Sequence, residues 1–148
     1  MSKVQIFVSF DLEHDEDLYE VLLAQSRTPA SGFTVSGGSK RSTDTELETE
    51  SLRRRIREAD QVIFICGEHT DASAPVRAEL LIAKEERKPY FLLWGRRDLM
   101  CRKPNGAPPN EGMYSWTRPI LQDQIAFTSR KAADDAAATT EREAHRKR

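Results

Sequence analysis

The stretch from residue 61 to residue 94, QVIFICGEHTDASAPVRAELLIAKEERKPYFLLW, reads as strand, helix, strand, and that order decides the fold. QVIFIC (61–66) and YFLLW (90–94) are short apolar runs with little polar alternation, the pattern of strands covered on both faces. Between them, SAPVRAELLIAKEERKP (73–89) repeats Val76, Leu80 and Ala83 at spacings of four and three, which predicts one amphipathic helix. Ser73 is placed to cap that helix, and Pro75 enters near its first turn, where a missing amide proton costs little. The awkward member is Glu79, which falls beside Leu80 on the inward side, where a leucine would suit a core better.

Working outward, VQIFVSF (4–10) and GFTVS (32–36) read as two further strands. Helical patterns fill the gaps: 17–25 carries Leu18, Val21 and Leu22, and 46–59 carries Leu47, Leu52, Ile56 and Ala59. Strand and helix therefore alternate. Such alternation predicts an α/β fold, flavodoxin-like, with a central parallel sheet wrapped by helices through right-handed crossovers. Past Trp94 the pattern loosens. Residues 95–119 show no sustained period, as in a lid, a binding loop or an insertion, and ILQDQIAF (120–127) suits a last helix or a short edge strand. Beyond Phe127 no apolar side chain exceeds alanine, so the expectation is one domain over 1–127 and a charged, alanine-rich tail over 128–148, disordered or a frayed helix.

Bulk properties narrow the function classes. The chain has 148 residues, enough for one core, and a formal net charge of -1 although 32% of its residues are charged. No global basic field points to nucleic acid. Cys66 and Cys101 form no CxxC and no zinc spacing with the three histidines, so they read as reduced thiols and no metal is expected. The apolar part of MSKVQIFVSF is too short for a signal peptide and no run of 18 apolar residues exists; a cytoplasmic protein without a membrane partner is the expectation.

In open α/β sheets, ligands gather where the strands' carboxyl ends meet the following helices. Three segments arrive there: SFDLEHDED after the first strand, SGGSKRSTD after the second and GEHTDASAP after the third. Glu79 leans back toward its helix start and so reaches toward this crevice. Glutamates near helix starts commonly do no more than complement the dipole. Glu79, however, has Pro75 and Ala83 four residues away and Val76 and Ile82 three away, so no basic partner lies along the helix. A carboxylate taken from water without compensation costs several kcal/mol or shifts its pKa, and such groups collect at functional sites.

Other features are weaker. VSGGSK lacks both the GxGxxG and the GxxxxGK[ST] pattern and reads as a flexible turn. Arg53, Arg54 and Arg57 lie on the polar side of their helix, solvated or docking an anion. His14 and His69, one per loop, read as surface residues. Tyr114 and Trp116 could close over a flat ring or pack against the last helix.

IFVSF at the start, LRRRIREADQVIFICGEHTDAS in the middle and VRAEL followed by KPYFLLW together resemble the TIR (Toll/interleukin-1 receptor) family, in particular the bacterial TIR-like group of the Thoeris antiphage proteins. The resemblance spans roughly residues 3–127 and implies a three-layer sandwich around a parallel sheet of four to five strands. Thr70, Ser73, Val76, Arg77 and Glu79 match the start of the family's third helix, whereas Pro75 and Ala78 stand where the family carries aromatics. It further implies NAD as substrate rather than resident cofactor, cleavage of the nicotinamide–ribose bond with cyclisation of ADP-ribose, and self-association through TIR surfaces. Glu79 would then be catalytic, with Ser9, Phe10 and Asp11 lining the opposite wall and Ser73 holding phosphate or ribose. Two alternatives accompany this reading: a non-catalytic TIR-like scaffold, and a nucleoside deoxyribosyltransferase-like enzyme drawing a second carboxyl from Asp11.

Overall fold

A computed structural model describes residues 3–40 and 46–146, with side chains outside 46–48 and 139–146. In chain order the elements are β1 (Val4–Ser9), α1 (Glu16–Ser26), β2 (Phe33–Gly38), α2 (Glu46–Glu58), β3 (Gln61–Cys66), α3 (Ala74–Glu85), β4 (Tyr90–Trp94), β5 (Met113–Ser115) and α4 (Arg118–Arg146), with a 3-10 turn at Thr70–Ala72 before α3. The strands form one sheet in the order β2-β1-β3-β4-β5, all parallel. This is the flavodoxin-like order, whose direction of growth reverses between β1 and β3.

The apolar runs become strands because the sheet is covered on both sides. Ile6, Val8, Ile63, Ile65 and Leu93 face a core closed by Leu18 and Leu22 of α1 and by Leu121 and Ile125 of α4. Phe7, Val62, Phe64 and Leu92 face the other core, closed by Ile56 of α2 and by Val76, Leu80 and Ala83 of α3. All six residues of β3 are buried, as befits the central strand. Val21, placed by its spacing on the apolar face of α1, is instead about half exposed at 49%.

Two sequence readings change, and a third, left between helix and strand, is decided. The stretch 95–119 is not devoid of structure: it contains β5, which pairs in parallel with β4 from Leu92↔Met113 to Trp94↔Ser115. ILQDQIAF is helical, part of α4, and not an edge strand. The glycines of VSGGSK lie in β2 rather than in a flexible turn; a Cβ on Gly38 would meet Cε2 of Tyr19 at 2.9 Å, so close packing calls for glycine there.

The boundary expected at residue 127 falls inside α4, which the structure carries through Arg146. Gln61 anchors the helix by donating from Nε2 to the Ile125 carbonyl at 2.8 Å and to Ser129 Oγ at 2.6 Å. Thr128 is buried, and from Ser129 to Ala138 every side chain is partly or fully exposed, as expected of a sequence with no large apolar group to bury.

Candidate functional site

The carboxyl ends of β1, β2 and β3 converge beside the place where the sheet order reverses, and α3 begins there. Ser73 starts α3 in an extended conformation, and its hydroxyl accepts the Val76 amide proton at 3.4 Å. Pro75 occupies the first turn, as the sequence predicts. About one and a half turns into the helix, Glu79 turns inward and is only 2% exposed.

Two hydroxyls meet its carboxyl. Ser9, the last residue of β1, donates to Glu79 Oε1 at 2.7 Å, and Ser39, just past β2, donates to the same oxygen at 2.6 Å. Ser39 is itself oriented, since its hydroxyl accepts the Phe10 amide at 3.0 Å while its own amide donates to the Val8 carbonyl at 3.1 Å. No cation forms an ion pair with Glu79 among the described residues. Burial lifts the Glu79 pKa to about 7, working against the two hydroxyls and the more distant charge of Arg55, which favour the ionised form. The site therefore holds an acid that can change charge near neutral pH without leaving its place.

The remaining sequence-predicted residues make contacts of their own. Phe10 is buried and stacks on Tyr19, ring centroids 4.7 Å apart. Asp11 is buried and sits 2.6 Å from His14 Nδ1, and the same carboxylate accepts the Glu13 amide at 3.2 Å. That contact holds the His14 imidazole above its ordinary pKa, and the His14 ring lies against His69 with centroids 4.1 Å apart. The two histidines are thus neighbours across the first and third loops, which their sequence separation concealed. Among the described residues, no group of three or more His, Cys, Asp or Glu side chains is arranged to hold a metal ion. Cys66 and Cys101 are free and buried, and burial pushes the Cys66 thiol well up.

Arg53 and Arg57 brace α2 against α3: Arg53 bonds Glu85 at 2.9 Å and Glu86 at 3.1 Å, and Arg57 bonds Glu86 at 2.9 and 3.0 Å. Trp116 packs against the core and donates to Gln25 Oε1 at 2.9 Å, and Tyr114 meets Phe91 edge-on. A groove of about 740 Å³ lies at the other end of the sheet between Lys88, Tyr114 and Lys131, and Glu79 does not line it.

Sequence reading missed Ser39 and Arg55. Ser39 carries no local signal, because its partner is 40 residues away. Arg55 had one: it lies three residues after Leu52 and four before Ala59, at the margin of the apolar face of α2, unlike its three arginine neighbours.

The chain is thus an α/β domain with a doubly wound parallel sheet and a buried acid on the helix that follows its central strand. The family model for the TIR-like domain of the Thoeris protein ThsB matches residues 7–97, and the chain belongs to that family. The match takes in Ser9, Ser39, Arg55, Ser73 and Glu79 and ends before β5 and α4. No curated protein matches the chain. Among the described residues no helix is long and apolar enough to cross a membrane.

Proposed function

We propose that this protein is a signalling enzyme of bacterial antiphage defence that breaks the nicotinamide–ribose bond of NAD, with Glu79 as its catalytic carboxylate. One observation carries the reading: a carboxyl 2% exposed, at the switch point of the sheet, held by two hydroxyls and, among the described residues, by no ion-paired cation. Burying such a group costs the fold stability unless it is neutral, so fold stability alone gives no reason for a glutamate here.

The chemistry asks little else of the protein. Nicotinamide in NAD is already cationic, so it leaves neutral, taking the bond's electron pair, without the acid that most glycosidases supply. The ribosyl cation left behind needs a fixed negative charge, which Glu79 provides in a site poor in water. A cationic substrate arriving beside it also draws off the carboxyl proton, because an adjacent positive charge lowers a carboxyl pKa. Water captures the cation to give ADP-ribose and a proton; capture by a hydroxyl or ring nitrogen of the same molecule gives a cyclic messenger. Ser9 orients Glu79, and Ser73, whose hydroxyl accepts from Val76, can donate its proton to a phosphate or ribose oxygen. Contact between NAD and Glu79 requires the buried carboxyl to be uncovered, and self-association through TIR surfaces is a means of uncovering it.

The test follows nicotinamide release from NAD by wild type and Glu79→Gln, at dilute protein and under conditions that promote assembly. Wild type should release nicotinamide, and the variant should be slower by about 10²-fold or more. Equal release by both would remove Glu79 from the chemistry, and none from wild type in any assembled state would leave a scaffold in place of an enzyme.

A further inference from the structure

We infer that Arg55 is a positioning residue for Glu79, gripping the Gly38 carbonyl and so fixing the turn that delivers the Ser39 hydroxyl to the carboxyl. The arginines of α2 divide by face. Arg53 and Arg57 are spent on Glu85 and Glu86, whereas among the described residues no carboxylate pairs with Arg55. Its guanidinium carbon lies 5.6 Å from the centre of the Phe7 ring, and its Nη1 donates to the Gly38 carbonyl at 3.1 Å.

Gly38 is thereby held from two sides. Tyr19 covers the place a Cβ would take, and Tyr19 is in turn stacked on Phe10. The next residue, Ser39, is then committed: its oxygen takes the Phe10 amide proton and its own proton goes to Glu79. A small displacement of the turn breaks both bonds, and Arg55 is the side chain that resists it. The groups facing Glu79 are the hydroxyls of Ser9 from β1 and Ser39 beyond β2, and the charge of Arg55 from α2, which is the one charged side chain acting on it among the described residues. Arginine suits the task better than lysine, because a planar fork can lie over the Phe7 ring while directing a fixed N–H at a carbonyl.

This role rests on Glu79 being the working carboxyl, yet its test does not depend on turnover. The Glu79 carboxyl carbon, labelled with ¹³C and assigned by its loss in Glu79→Gln, is titrated by NMR in wild type, Arg55→Met, Arg55→Lys and, as a control on the same helix, Arg57→Met. The midpoint should rise by about one pH unit in Arg55→Met and by less than half that in Arg55→Lys, which keeps the charge and loosens the grip. Arg57→Met should leave it unmoved. A merely structural arginine would alter stability and not the midpoint, so identical titrations for Arg55→Met and Arg57→Met would overturn the inference. A wild-type midpoint in Arg55→Lys would overturn it equally, whether or not Arg55→Met folds, because the charge would then act across space without the grip on Gly38. Absence of nicotinamide release from wild type would count against the proposed reaction only, with the titration still deciding the role of Arg55.

Discussion

Asp15 and Glu79 are buried acids at the same edge of this sheet, and the chain partners them differently. Asp15, 1% exposed before α1, is paired: Arg96, beyond the end of β4, donates to its Oδ1 at 3.1 Å and also to the His14 carbonyl and to both oxygens of Asp17. Its other oxygen, Oδ2, is packed against Gly67, where a Cβ would stand 2.3 Å away, and has no hydrogen-bond partner among the described residues. Glu79 is buried almost as fully, but among the described residues its carboxyl receives only hydroxyls. An ion pair fixes a charge and fastens two segments together, whereas hydroxyls orient a carboxyl and leave its charge adjustable. Asp15 is thus a fastening between β4 and the first loop, and Glu79 is an acid held ready.

Removing the fastening should have the largest effect. Arg96→Met strands the Asp15 carboxylate in a dry site, and chemical denaturation at pH 7 should show a loss of about 3 kcal/mol, the usual consequence of deleting one partner of a buried pair. Burial already raises the Asp15 pKa against the pull of Arg96, so the variant's deficit should shrink as the pH falls and the carboxyl takes up a proton. A deficit independent of pH would mean that Arg96 acts through packing, and the contrast with Glu79 would blur.

Ser39→Ala sharpens the other side. It removes a hydroxyl from Glu79 and leaves the Phe10 amide without its acceptor, at a cost of about 2 kcal/mol by urea denaturation. Because that hydroxyl favours the ionised carboxyl, its loss should also raise the Glu79 pKa above about 7 and move the acid limb of any nicotinamide-release profile to higher pH. An unmoved limb would show that the Ser39 bond orients the site without tuning it.

How much of this could be read beforehand depended on whether the cause was local. β1, β3 and β4 announce themselves because strands buried on both faces must be apolar throughout. β5 does not, since three residues at the sheet edge, none of them fully buried, need no such run. Glu79 was legible because helical period alone turns it inward. The company it keeps was not, since a serine in a loop 40 residues away leaves no trace in spacing. The same holds for Arg96, which reaches the Asp17 carboxylate 79 residues earlier in the chain, and for the tilted ring contact between His14 and His69.

The central claim is that Glu79 is a buried acid whose charge is left adjustable near neutrality, and the unfolding free energies of wild type and Glu79→Gln from pH 4 to pH 8 test it most directly. In the unfolded chain the carboxyl titrates near 4.5; in the fold it titrates near 7, so between those values the folded state holds the proton more tightly. The stability due to the neutral carboxyl is then fully present below pH 4.5 and is lost as the pH rises through 7. Glutamine does not titrate, so the difference between the two proteins should move in the variant's favour by on the order of 3 kcal/mol across that window. A difference that stays constant with pH, or moves toward wild type, would contradict the account.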